Sequence, residues 1–247
     1  MASFAVILLA AGKSVRFRDQ HYKKPFAPLE NRAVWLHAAE KFLNRDDVKQ
    51  LILTIAAEDR ESFNMKFSAN VAILGIEVVE GGRERADSVG HALARVKPDI
   101  DFVAVHDAAR PCLANEWIDQ VFDAAKQSDA AILAIPVSST LKRVSSQNTV
   151  LETIPRENLW EAQTPQVFRR QLLLDAYAQR GGASATDDAQ LVERLGKTVT
   201  IVRGSPINLK INTKEDFRLA AQALRAMPKP KILGPAHPFA DEEQMWR

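Results

Sequence analysis

Cysteine is nearly absent: Cys112 is the only one among 247 residues. A single thiol excludes an internal disulfide and any cysteine-rich zinc module, and it fits a reducing compartment. An excess of one charge sign is missing too. Lysine and arginine number 33 against 31 aspartates and glutamates, a formal net charge of +2. General nucleic-acid binding therefore has no electrostatic basis, and any anion site must be local. Long hydrophobic runs are also lacking. The longest, residues 4–11 and 130–137, fall far short of the roughly 20 residues of a membrane helix. No basic stretch precedes the first run and no Arg-rich, acid-poor leader is seen. The expectation is a soluble, cytoplasmic protein whose mature chain starts near Met1. What is there is an ordinary globular composition with 46% apolar residues, enough for one large domain or two small ones and incompatible with disorder as the main state.

Short apolar runs alternate with amphipathic stretches. Residues 4–9, 48–56, 73–79, 102–105 and 130–137 read as strands buried on both faces, and 33–43, 58–67, 85–96 and 116–126 read as helices. Continuous apolar strands alternating with helices predict an α/β fold, a mostly parallel twisted sheet flanked by helices. Ligands of such sheets bind beyond the carboxyl ends of the strands. Residues 138–153 break the pattern: a polar, Thr- and Val-rich stretch around Gln147-Asn148 reads as a protruding β-hairpin arm. An isolated hairpin is marginal in water, so this arm is expected to pack on another chain. Helices follow at 171–179, 187–195 and 214–227, with a strand at 199–202. The expected unit is one domain over 1–227, followed by a Pro-rich tail, 228–247.

Three segments fall where the first, third and fourth strand-like runs end. Leu9-Ala-Ala-Gly-Lys-Ser-Val-Arg-Phe17 places small residues at Ala10, Ala11 and Gly12, with Lys13, Arg16, Lys23 and Lys24 close behind. It reads either as a phosphate cradle or as a turn followed by a solvated basic loop. The spacing is neither that of a P-loop nor that of a dinucleotide fingerprint. Glu80-Gly-Gly-Arg-Glu-Arg-Ala-Asp-Ser-Val89 reads either as a loop wrapping a flat ligand or as a glycine turn with a helix cap. Val103-Ala-Val-His-Asp-Ala-Ala-Arg-Pro111 ends a buried strand on Asp107, a costly place for an unpaired carboxylate. Magnesium binding and an Asp107–Arg110 structural pair both satisfy it. His106, adjacent in a strand, faces the other way and reads as a packed histidine. Thr140 and Lys142 on the arm, Arg156, Thr164-Pro-Gln-Val-Phe168 as a turn leading into a strand-like pair, Thr186-Asp-Asp188 as a helix cap, and Asn208-Leu-Lys-Ile211 are weaker signals singly. The last of these reads as a strand end carrying Lys210, followed by an Asn/Thr helix cap.

Taken in order, Leu-Ala-Ala-Gly…Arg, Gly-Gly-x-x-Arg-x-Asp-Ser-Val, His-Asp-Ala-Ala-Arg-Pro, Thr-Pro-Gln-x-Phe and Asn-Leu-Lys-Ile…Glu-Asp resemble the 2-C-methyl-D-erythritol 4-phosphate cytidylyltransferase family over residues 4–226. The resemblance implies a nucleotidyltransferase fold, CTP as co-substrate, a divalent cation, usually magnesium, and a homodimer that exchanges β-arms. It implies that Ala10, Ala11 and Gly12 lie along the triphosphate and that Gly82 and Ser88 meet the cytosine. It implies that Arg16 and Lys24 stabilise phosphate charge, that Asp107 holds the metal, and that Arg110, Thr164 and Lys210 line the acceptor pocket. Thr140 and Arg156 would come from the partner, Arg156 and Lys210 positioning the attacking phosphate. The chain departs from the family in having Leu9 where Pro is frequent and Lys23-Lys24-Pro25 where Pro-Lys-Gln is frequent, which leaves Lys23 beside Lys24 as a candidate. Rivals are a ribitol 5-phosphate cytidylyltransferase and, more remotely, a non-catalytic nucleotide-binding regulator.

Overall fold

The Val-, Ile- and Leu-rich run at the start forms β1 (Phe4–Leu9), whose alternate residues face two different cores. Phe4, Val6 and Leu8 pack on one side, Ala5 and Ile7 on the other. The computed structural model describes residues 2–12, 14, 17 and 22–227; the proposed tail and Arg16 lie outside them. A short ribbon, β2 (Pro28–Leu29) and β3 (Arg32–Ala33), leads into α1 (Val34–Leu43). Then come β4 (Val48–Ile55), α2 (Arg60–Leu74), β5 (Glu77–Glu80), α3 (Arg85–Leu93), β6 (Phe102–Asp107), α4 (Asn115–Ser128) and β7 (Ala130–Pro136). The second part holds β8 (Leu141–Val144), β9 (Val150–Ile154), β10 (Trp160–Arg169), α5 (Arg170–Ala178), α6 (Asp188–Arg194), β11 (Thr200–Arg203) and α7 (Lys214–Ala226).

Seven strands form one sheet in the order β11-β7-β10-β6-β1-β4-β5. β4, β1 and β6 run parallel, as do β4 with β5 and β7 with β11, while β10 is antiparallel to both its neighbours. Helices α1, α2 and α4 cover one face through Trp35, Phe63 and Phe122. Helices α3, α5 and α6 cover the other through Val89, Leu173 and Val192. The fold class expected from the sequence is the one observed. Strands β8 and β9 form a separate two-stranded sheet that pairs with no strand of the main one. Its turn is closed at Asn148, in the left-handed region at φ 60°. Among the described residues, no helix is long and apolar enough to cross a membrane.

Three local expectations are corrected. The strand expected at 73–79 starts only at Glu77, because α2 continues to Leu74 and leaves Ile73 exposed. Gly75, at φ 63°, ends that helix, and the Ile76 N–H returns to the Val71 carbonyl at 3.1 Å. That is the usual left-handed helix stop, which needs glycine rather than apolar periodicity. Residues 164–168, expected as a turn leading into a strand-like pair, lie wholly inside β10, whose register against β7 shifts between Ala162 and Gln166. Asn208 to Ile211 is no strand: the Asn208 side chain is buried and donates to the Thr164 carbonyl at 2.9 Å, so a side chain takes the place of a backbone ladder.

Candidate active site

The carboxyl ends of β1, β4, β5 and β6 surround a cavity of about 490 Å³. Its walls carry Ala11 and Gly12 after β1, Thr54 at the end of β4, Gly81 and Gly82 after β5, and Asp107 and Ala109 after β6, with Lys24 and Lys210 from elsewhere. The glycines are required by close packing. A Cβ on Gly81 would overlap Ala11, and one on Gly82 would overlap Asp87. The loop is tied down by Ser88, whose Oγ accepts the Gly82 N–H at 3.0 Å and donates to the Glu84 carbonyl at 3.1 Å. The Glu84 N–H in turn donates to Asp87 Oδ2 at 3.0 Å.

Asp107 is the electrostatic centre. Its side chain is only 10% exposed and meets Lys210 Nζ at 2.8 Å, Arg110 Nε at 3.7 Å and Arg85 Nε at 3.9 Å. Burial alone would raise its pKa, but Lys210, Arg85 and Arg110 outweigh burial and hold it well below the usual carboxylate range. Asp107 is thus ionised at any working pH. Its backbone is fixed as well, because its N–H donates to Thr164 Oγ1 at 3.0 Å. Thr164 Oγ1 lies 3.0 Å from His106 Nδ1, and His106 Nε2 lies 3.1 Å from the Arg110 carbonyl. A carbonyl only accepts, so the imidazole proton sits on Nε2 and Nδ1 accepts from the Thr164 hydroxyl. Burial lowers the His106 pKa to about 4, which keeps the ring neutral. It is the packed histidine expected from the sequence, and it also props up Thr164.

Ala11, Gly12, Lys24, Gly82, Ser88, Asp107 and Lys210, scattered in the sequence, all line this cavity. Ala10 lies behind it, buried in the core. Lys23 and Lys24 separate cleanly. Lys23 Nζ lies 2.9 Å from both Glu58 Oε1 and Asp59 Oδ1, whereas Lys24 lines the cavity. Arg110 is turned inward, donating to the Asn208 carbonyl at 2.6 Å, and Thr164 is buried with its hydroxyl engaged. Thr140 and Arg156 are not brought to the cavity within one chain. Thr140 is exposed, and Arg156 donates to the Ser138 carbonyl at the foot of the hairpin. Arg16 lies outside the described residues.

Sequence reasoning missed Arg85 and its support. Arg85 lines the cavity, and its Nη2 lies 2.8 Å from Asp188 Oδ2. The signal was present: Arg85 is the arginine of the Gly-Gly-x-x-Arg stretch, and Thr186-Asp-Asp188 was read only as a cap. Asp187 is indeed that cap, accepting the Gln190 N–H at 3.0 Å.

Among the described residues, no group of three or more His, Cys, Asp or Glu side chains is placed to hold a metal ion. The donor set is one carboxylate, with Oδ2 held by Lys210 at 2.8 Å and Oδ1 3.9 Å from Arg85 Nε. That set fits magnesium in its phosphate-dependent form, where one or two carboxylates are completed by substrate phosphates and water.

The model of the family described as 2-C-methyl-D-erythritol 4-phosphate cytidylyltransferase matches residues 4–226. The chain is 42% identical over 234 residues to the protein of that name from Rhodopirellula baltica, covering 90% of this chain and 95% of the relative. It is 34% identical over 231 residues to the one from Clostridioides difficile, covering 93% and 97%. The solved structure of the Francisella tularensis 2-C-methyl-D-erythritol 4-phosphate cytidylyltransferase is similar with a TM-score of 0.75 at 30% identity, covering 90% of this chain and 100% of that one.

Proposed function

Because the chain belongs to the 2-C-methyl-D-erythritol 4-phosphate cytidylyltransferase family, we propose that the cavity at the strand ends transfers CMP from CTP to 2-C-methyl-D-erythritol 4-phosphate. The products are 4-diphosphocytidyl-2-C-methyl-D-erythritol and pyrophosphate, a step of non-mevalonate isoprenoid precursor synthesis. One observation carries the site assignment: the small-residue loop, the Gly81-Gly82 loop, Lys24, Asp107 and Lys210 converge on one cavity.

The nucleophile is a phosphate monoester oxygen of the acceptor. Its second pKa is about 6, so it is largely dianionic at neutral pH and needs no general base. The barrier is the approach of two anions, and the residues answer it with charge and alignment. Ala11 and Gly12 leave room for the triphosphate, with Ala10 buried behind them. Arg16 and Lys24 stabilise its charge, and Gly82 and Ser88 form the base end. Asp107 would hold a divalent cation together with the nucleotide's phosphates, and the ion would supply charge neutralisation there. Lys210 orients the attacking phosphate for in-line displacement of pyrophosphate, with Arg110 and Thr164 behind the acceptor pocket.

In this reading residues 1–227 are the catalytic unit and act as a homodimer. The hairpin leaves Val144, Val150 and Leu151 exposed at 49%, 56% and 62%, apolar surface that a partner would bury. Arm exchange would deliver Thr140 and Arg156 to the partner's acceptor pocket. The buried free thiol of Cys112 fits a cytoplasmic enzyme. The test is pyrophosphate release from CTP and magnesium, run in parallel with methylerythritol 4-phosphate and ribitol 5-phosphate. Preference for the first is expected; preference for the second would move the acceptor assignment, and no release with either would sink it.

A further inference from the structure

We propose that Arg85 is a positioning residue of this transfer: anchored by Asp188 and Tyr177, it keeps the Asp107 carboxylate oriented when Lys210 is drawn to the substrate. The inference rests on the activity assigned above.

The anchor is built from several elements. Asp188 is wholly buried at the start of α6. One of its oxygens lies 2.8 Å from Arg85 Nη2, and the other accepts the Tyr177 hydroxyl at 2.6 Å. Its backbone is held too, since Gln166 Oε1 accepts the N–H groups of Asp188 and Ala189 at 3.1 and 3.2 Å. Gln166 belongs to β10, the strand that also carries Thr164, the support of the Asp107 backbone. Asp188 cannot follow Arg85 if the guanidinium moves, so Arg85 stays where Asp188 holds it.

The charges then decide the role. Two carboxylates, Asp107 and Asp188, share the region with Arg85, Arg110 and Lys210. Lys210 is the closest cation to Asp107 and the most exposed of the three at 36%. It is also the one assigned to the attacking phosphate, so Asp107 loses its nearest counter-charge as substrate engages. Arg110 is committed to the Asn208 carbonyl. Of these three side chains Arg85 is the one on the Oδ1 side, and its planar fork serves two carboxylates at once. Because it sits nearer Asp188 than Asp107, at 2.8 against 3.9 Å, it orients Oδ1 without capturing it. A purely structural pair would need Asp188 and Arg85 alone, with no reason to face the cavity beside Asp107.

The test uses the full-length enzyme and three variants. The double variant Arg85→Gln/Asp188→Asn removes the buried pair without leaving an orphan charge. Tyr177→Phe loosens the anchor without changing charge, and Arg85→Lys keeps the charge but not the fork. Thermal unfolding checks the fold, steady-state kinetics separate kcat from both KM values, and calorimetry measures CTP binding with and without magnesium. The double variant is expected to fold, to lose about tenfold or more in kcat, and to keep both KM values and CTP affinity within about threefold. Arg85→Lys should recover about threefold or more over the double variant, and Tyr177→Phe should lose about threefold in kcat. A folded double variant with wild-type kcat overturns the proposal, as does a loss carried wholly by KM for CTP. If the double variant fails to fold, wild-type kcat in Tyr177→Phe overturns it. A wild-type enzyme that releases no pyrophosphate overturns the activity assignment itself, a result distinct from any difference among variants.

Discussion

Lys210 Nζ lies 2.8 Å from Asp107 Oδ2, although the two residues come from opposite halves of the chain. Asp107 ends a buried strand, and Lys210 sits in an irregular segment after the last strand of the sheet. In the proposed function this contact joins the nucleotide side of the cavity to the acceptor side. Lys210→Met is therefore expected to lower kcat by about 10²-fold while the protein stays folded, since Arg85 and Arg110 still face Asp107. Steady-state kinetics with a melting curve check both halves; wild-type kcat would remove Lys210 from the reaction.

The two adjacent lysines should behave differently. Lys24→Ala is expected to cost about 10²-fold in kcat with little change in stability. Lys23→Ala should leave kcat within about threefold but destabilise the fold by about 1–3 kcal/mol, because it deprives the buried Asp59 carboxylate of its ion-pair partner. Urea unfolding and pyrophosphate release measured on both variants decide the matter. The reverse pattern would exchange their roles.

The Cys112 thiol should be silent in the native protein. It is buried, and burial raises its pKa from 9.0 to about 12. At pH 8 a disulfide reagent is expected to leave it unmodified for hours, then to react within minutes in denaturing urea. The sign of the linked pH effect follows. Above about pH 9 the unfolded chain loses this proton while the native chain keeps it, so stability falls from there until pH 12. Cys112→Ala should flatten that slope. Rapid native labelling would contradict the burial.

Dimerisation can be tested on the hairpin. The full chain is expected to sediment as a dimer at micromolar concentration, and Val150→Asp/Leu151→Asp to give a folded monomer. Both replaced side chains are more than half exposed in the single chain, so the fold of the monomer has little to lose. The monomer should raise KM for the acceptor by about tenfold or more, as Arg156 would no longer be delivered. An active wild-type monomer would end the arm-exchange reading.

The sequence by itself determined the layers of this protein and most of its local structure. Continuous apolar runs such as Phe4–Leu9 and Ala130–Pro136, alternating with amphipathic helices, read as strands covered on both faces. Capping residues such as Asp187 and Thr213 mark their helices by hydrogen bonds a few residues long. Asp107 stands out in the sequence because a carboxylate closing a buried strand needs a counter-charge, and the structure supplies Lys210, Arg85 and Arg110. Local rules failed where an apolar stretch crossed a boundary, as at Ile73, which only the left-handed Gly75 assigns to a helix. The tertiary structure alone decided which charges meet. It turned Lys23 to Asp59 and Lys24 to the cavity, and it committed the Thr164 hydroxyl to Asp107 and His106. It also set Asp188 behind Arg85. These pairings depend on strand order and on which helices cover which face. Residues distant in the chain become neighbours through sheet topology, and the sign and strength of an ion pair depend on a separation and a burial that no local pattern encodes.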